Sequence, residues 1–329
     1  MHQKKEGDCS VHIPEENQNQ EPAGGKYIFR VNAALTKSNP DAYKPKLISI
    51  GPYHMQDPEL NKDNVKQNFK NSLCQKIDKF EDNSKAILYD MLKDTRSCYN
   101  DDIPDMKDEE FVDMLLLDGC FILEFMEKYS NKVADDGCER TKVQTLIDMT
   151  LLENQIPFFV LFELFKLKHN NANKDDGVLV QDLMVLVRKC IATQVPNARM
   201  PNAECNDYGG IIEKMNSAAV LAKEGVGFKK IGKVYERYFE MEDGVKTFNA
   251  TDSTTLFDLY FSNWVLKIPS FKIDGHTETL LRNMIAYEQQ STDAAPVWFS
   301  DYVSFMDKLI KSAHVMPKRN HRQLHGFKR

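Results

Sequence analysis

The chain has 329 residues, of which 42% are hydrophobic and 28% charged, and its net charge is −6. That is the balance of a globular protein long enough for one large domain or two modest ones. Phosphate neutralisation needs a basic face, so nucleic-acid binding is not expected of an acidic chain. The cations that do cluster, Lys311, Lys318, Arg319, Arg322, Lys328 and Arg329, lie at the end with no acid among them and leave the rest more acidic still.

Residues 1–26 are rich in Gln, Asn, Glu and Gly and hold too few large apolar side chains to repay the entropy of ordering, so a flexible polar N-terminus is expected. The start lacks the apolar core of a secretory signal. The longest apolar runs, Phe111 to Met126 and Ile156 to Leu167, contain carboxylates and fall short of the ~20 residues needed to cross a bilayer. The expectation is a soluble, cytoplasmic chain, and the sequon at Asn249-Ala-Thr251 reads as chance. Seven cysteines form no C-x-x-C pair and read as reduced thiols.

From Pro40 to Pro58, Pro45, Gly51 and Pro52 enforce an extended, turning path in which Leu47-Ile-Ser-Ile50 is the one strand-like run. Asn61 to Met91 then carries Val65, Phe69, Leu73, Ile77, Phe80, Ile87, Leu88 and Met91 at helical steps, predicting one or two amphipathic helices. Asp94 to Glu110 reads as an acidic loop whose Asp108-Glu-Glu110 opens the next helix. Phe111 to Met126, apolar on nearly every side, predicts a central buried helix. Val143 to Leu152 and Pro157 to Leu167 form a bent helical pair, because Pro157 forces a new start. Further helices are predicted over Val178 to Thr193, Asn216 to Glu224, His276 to Glu288 and Trp298 to Ile310. Between them, Phe228 to Val234, Tyr235 to Met241 and Thr255 to Ile268 shorten to strand-like alternation. The fold class is therefore α+β, predominantly α-helical with a few short strands in the C-terminal half. The expected organisation is one folded unit over 27–310, a subdomain boundary near 196–210, and a basic flexible tail over 311–329.

Four segments carry a family likeness: Tyr43-Lys-Pro-Lys-Leu-Ile-Ser-Ile-Gly-Pro-Tyr-His54, Leu117-Asp-Gly-Cys-Phe-Ile-Leu-Glu124, Asp148-Met-Thr-Leu-Leu-Glu-Asn-Gln-Ile-Pro-Phe-Phe159 and Leu280-Leu-Arg-Asn-Met-Ile-Ala-Tyr-Glu-Gln289. In this order they resemble the plant family called domain of unknown function 247, or uncharacterised protein family 0481. The resemblance implies no catalytic residues. It implies a recognition or signalling role through an unidentified protein partner, some grass members being similar to pollen determinants of self-incompatibility. It also implies membrane attachment through a further C-terminal apolar helix, in place of which this chain runs into its basic tail; a truncated, non-functional product is one expectation from that departure. The motif positions to which it draws attention are Gly51, Pro52, Tyr53, His54, Asp118, Glu153, Asn154, Gln155 and Pro157.

Two readings of these residues compete. Glu153 at the helix break reads either as a general acid or base or as part of a structural set in which Asn154 and Gln155 satisfy freed backbone groups. Asp118, a carboxylate in an apolar helix, needs a donor, for which His54, Arg140 and Tyr53 are candidates. With His54 it makes the carboxylate and imidazole of an undescribed enzyme, yet no G-x-S-x-G turn accompanies them. No H-E-x-x-H, paired Cys/His spacing, G-x-x-x-x-G-K-[ST] or G-x-G-x-x-G occurs, so no metal, nucleotide or other cofactor is expected. Phe158, Phe159, Phe162 and Phe165 read as core, or, if part of the stripe is exposed, as a groove for a partner.

Overall fold

The computed structural model describes residues 28–311 except 61, 100–102, 131–137, 170–173, 192–214, 235–237, 241–245, 249–253 and 292–296. The expectations of a flexible start over 1–26 and of a boundary at 196–210 lie outside the described residues, as do the sequon and the tail beyond Lys311.

The chain enters extended, with Ile28 bridged to Tyr99, and passes through a short helix α1 (Ala33–Thr36) and a 3-10 turn (Pro40–Ala42). Residues 43–60 then run without regular structure, and α2 (Asp63–Lys76), α3 (Phe80–Asp90) and α4 (Leu92–Ser97) follow. Lys79 takes a left-handed backbone (φ 51°), which breaks α2 from α3. Helix α4 occupies part of the stretch predicted as an acidic loop.

The long helix α5 (Asp108–Ser130) is the axis of the fold, and α2, α3, α7 (Phe158–Lys168) and α8 (Asp176–Ile191) pack around it. Its first turn carries Asp108, Glu109 and Glu110, which complement the unpaired amides there. Leu115, Leu116 and Leu123 are essentially inaccessible. Burial of each contributes roughly 1.5–3 kcal/mol. At Gly119, α5 comes so close to α7 that a methyl group would overlap the Leu164 side chain.

Helix α6 (Glu139–Asp148) ends before a nine-residue connection, 149–157, that leads into α7 with Pro157 at its cap position. In the C-terminal half, α9 (Ala218–Lys223) leads into β1 (Gly227–Lys233), followed by β2 (Tyr238–Glu240), β3 (Lys246–Phe248), β4 (Tyr260–Ser262) and β5 (Val265–Ser270). Strands β1, β5 and β4 form a mixed sheet, β1 parallel and β4 antiparallel to the central β5, while β2 and β3 pair separately. The predicted run Thr255 to Ile268 is thus a turn followed by a hairpin.

Helices α10 (Thr277–Gln290) and α11 (Trp298–Ile310) close the fold. Leu266 and Ile268 of β5 pack with Ala218, Phe305 and Leu309, so α9 and α11 cover one face of the sheet. Glu288, near the end of α10, accepts from the amides of Phe299 (2.6 Å) and Ser300 (2.9 Å) and so caps α11 from outside that helix. The protein is α+β and mainly helical, with its strands in the C-terminal half.

Candidate functional site

The run Leu47 to Ile50 belongs to no strand, and Leu47 lies in a bend. Ile48 to Ile50 are buried, so their backbone groups need partners, and side chains replace a neighbouring strand. Asp148, the last residue of α6, accepts from the amides of Lys46 (3.1 Å), Leu47 (2.7 Å) and Ile48 (3.1 Å). Asn154 accepts from the amide of Ile50 at 2.6 Å and donates to the carbonyl of Ile48 at 3.1 Å. Asp118 of α5 accepts from the amide of Gly51 at 2.7 Å. The strand-like reading is not met here: tertiary side chains take the backbone groups that a ladder would have used.

Gly51 is the point where the segment turns. Its φ is +70°, and a β-carbon there would overlap the carbonyl oxygen of Gln155. Only glycine combines that conformation with that approach. Pro52 is buried beside it. Tyr53 donates its hydroxyl to the carbonyl of Ile28 (3.0 Å), meets Tyr99 edge-on, and lies beneath the guanidinium of Arg30 at 4.7 Å.

The second carboxylate oxygen of Asp118 pairs with the ammonium of Lys66 from α2, and both residues are buried. Desolvation pushes the Asp118 pKa up, against the attraction of Lys66. The expected donors do not serve: Arg140 is exposed, and His54 lies instead beside Glu153. Lys66 is the residue that sequence reasoning missed. It stands three residues before Phe69 and seven before Leu73, on the buried face of α2, whereas Val65, read as core, is exposed. A lysine in register with an apolar stripe is the signal that a carboxylate waits opposite.

Glu153 accepts from the amide of Val31 at 2.8 Å with one oxygen. The other lies 3.2 Å from Nε2 of His54, out of line for a hydrogen bond, and 3.7 Å from Nη1 of Arg30. Gln155 donates to the carbonyls of Met149 and Leu151, and Asn154 to that of Asp148, which serves the carbonyls left free where α6 ends. Asn283 of α10 completes the arrangement by accepting from Leu152 N and donating to Ala42 O, both at 2.9 Å. The polar residues of three sequence segments therefore meet around the fourth, Tyr43 to His54.

Against this clasp opens a groove of about 720 Å³. Its walls are Ile122 and Met126 of α5, Met149 and Ile156 of the connection, Phe158, Phe159 and Leu161 of α7, Val187 and Ile191 of α8, and Leu280, Met284 and Tyr287 of α10. Phe162 and Phe165 turn into the core, but Phe158 is 45% exposed and Tyr287 42%. Cys190 also faces the groove, and burial pushes its thiol up to about 11. Among the described residues, Cys74, Cys98, Cys120, Cys138 and Cys190 are free thiols, no group of His, Cys, Asp and Glu could hold a metal ion, and no helix is long and apolar enough to cross a membrane.

The segments that build the clasp are the ones on which the family likeness rests. A profile of domain of unknown function 247, described as plant protein of unknown function, matches residues 28–202 and 176–315. The chain belongs to this family. Among curated domain of unknown function 247 relatives, the chain is 24% identical over 314 residues to UPF0481 protein At3g47200 of Arabidopsis thaliana, covering 87% of this chain and 65% of that one. To the Arabidopsis Putative UPF0481 protein At3g02645 it is 31% identical over 193 residues, covering 54% of this chain and 35% of the relative. The chain thus spans less than two thirds of the length of either. No solved structure matches it.

Proposed function

We propose that this protein is a non-catalytic recognition protein that receives apolar side chains of a helical protein partner in the groove between α5, α7, α8 and α10. The observation that carries this reading is how the polar groups on the groove wall are used. Both ends of the Asn154 and Asn283 amides, the nitrogen of Gln155 and the hydroxyl of Thr150 are bonded to backbone groups. Apart from the Tyr287 hydroxyl and the Gln155 amide oxygen, the surface left for a ligand is aliphatic, aromatic and thioether, as in grooves that take the apolar face of an amphipathic helix. A recognition or signalling role of the kind the family likeness implies fits such a surface.

The experiment is a displayed-peptide selection against the protein, followed by titration of the selected peptides. Selected sequences are expected to carry apolar anchors at three- and four-residue steps. Their affinity is expected to fall at least about tenfold in Phe158→Glu and to be unchanged in His54→Gln. Peptides indifferent to Phe158→Glu sink the reading.

The approach of His54 to Glu153 is the observation behind a second reading, an enzyme working through Asp118, His54 or Glu153. A turnover abolished by His54→Gln in a folded protein would establish it instead.

A further inference from the structure

The tip of the β4–β5 hairpin has an order of residues that the groove does not use. Ser262 and Val265 are the last paired residues, so Asn263 and Trp264 form a two-residue turn, both with positive φ (51° and 60°). Such turns favour Asn and Gly, and a Trp in the second position sits where glycine would be unstrained. Trp264 is also 68% exposed. A large indole is therefore held in water, in a backbone conformation that disfavours it, at the tip of the hairpin.

Behind the tip the strand register sets levels. Phe261, Leu266 and Phe228 are opposite one another across the three strands, with Phe261 and Phe228 at 61% and 42% exposure. One residue further back, Tyr260, Lys267 and Lys229 are opposite one another, and Lys230 follows on β1. Two lysines directly opposite each other repel, which disfavours the pairing unless negative charge lies nearby. Among the described residues none of Lys229, Lys230 and Lys267 has an ion-pair partner. Lys267 is three residues from Trp264, about 10 Å along an extended strand.

The sequence from the tip inward is thus indole, two phenyl rings, then a phenol level with two ammonium groups, where the Tyr260 hydroxyl donates to the Asp258 carboxylate at 3.2 Å. A bilayer face presents the complementary layers in the same order: acyl boundary, interfacial belt, then anionic headgroups. We propose that the β4–β5 hairpin is a peripheral docking site for an anionic lipid surface, in which Trp264 and Phe261 enter the interface and Lys229 and Lys267 meet headgroup phosphates. The exposed rings at the tip, and three lysines without an ion-pair partner among the described residues, favour a lipid surface over a protein groove.

The test is co-sedimentation of the full chain with phosphatidylcholine vesicles with or without phosphatidylserine. In a Trp298→Phe background, which leaves Trp264 as the one tryptophan, its emission is followed as well. Expected are binding that needs phosphatidylserine, a blue shift of Trp264 emission, and weakening by salt. Trp264→Gly relieves the turn while removing the indole, so the hairpin is retained and binding is expected to fall at least about tenfold. Lys229→Gln and Lys267→Gln are each expected to cost about fivefold at low salt. Failure to bind either vesicle overturns the proposal. So does binding that persists in Trp264→Gly, which would belong to another cationic segment, or a hairpin that captures a protein ligand and ignores vesicles.

Discussion

The carboxylate of Asp148 lies 2.7 Å from the backbone amide of Leu47, a residue 101 positions earlier in the chain. One side chain thereby stands in for a strand, and the neighbouring amides of Lys46 and Ile48 share it. Burial pushes the Asp148 pKa up, opposed by Gln144 and these amides.

Asp148→Ala removes the acceptor of three amides, of which that of Ile48 is buried and costs about 1–3 kcal/mol when unmet, while those of Lys46 and Leu47 are partly open to water. A loss of roughly 2–4 kcal/mol is expected in urea unfolding, with a smaller loss for Asp148→Asn, which keeps one acceptor oxygen. Equal effects of the two variants would show that the carboxylate geometry is not used.

The buried pair Lys66 and Asp118 should behave asymmetrically. Removing one partner, as in Lys66→Ala or Asp118→Ala, is expected to cost about 3–5 kcal/mol, since the other charge stays buried alone. Lys66→Met with Asp118→Leu recovers much of that but not all, because the amide of Gly51 loses its acceptor. A double-mutant cycle by chemical denaturation measures the coupling, and additive single effects would refute it.

Two glycines separate backbone strain from steric overlap. Gly225 has φ +93° with open space around its α-carbon, while Gly51 has φ +70° against the carbonyl of Gln155. Gly225→Ala is expected to cost about 1–2 kcal/mol. Gly51→Ala must also displace the 149–157 connection, so a larger loss in thermal or urea unfolding is expected. The opposite ranking would contradict the close approach.

An acid-side pH dependence follows from Glu127. Desolvation raises its pKa, but contacts from His169 (3.3 Å) and Lys168 (2.8 Å) outweigh it and hold the group below its ordinary 4.5. A depressed carboxylate contributes stability above its unfolded value and loses it as pH falls through the folded one. Stability should therefore decline below about pH 4.5, and Glu127→Gln should flatten that decline. Lys168 keeps a partner in the variant, since Glu124 lies 2.6 Å away. An unchanged acid limb in Glu127→Gln would show that other carboxylates govern it.

Helices were legible because their apolar residues recur at three and four positions over long spans, as in Phe111 to Met126 and His276 to Glu288. The clasp was legible only as a list of motif residues. Asp148, Asn283 and Lys66 were not singled out, since a polar side chain that serves a distant backbone leaves no periodic mark near its partner. Lys66 is instructive: a one-residue change in the face assigned to α2 exchanges Val65 for Lys66 and reverses the meaning of the helix. The hairpin tip escaped notice because only the register places Phe228, Phe261 and Leu266 side by side.

The run Lys46 to Gly51 takes its partners from α5 and from residues 148–154, with none from its own neighbourhood. During synthesis the amides of Lys46, Leu47 and Ile48 are therefore without their acceptor until about a hundred later residues have been made, at ribosomal rates an interval of several seconds. Throughout that interval Leu47, Ile48 and Ile50 face water as a short β-prone stretch. The prolines at 45 and 52 that bracket it interrupt strand pairing at both ends, so the turning path that shapes the folded segment also guards the nascent one against association.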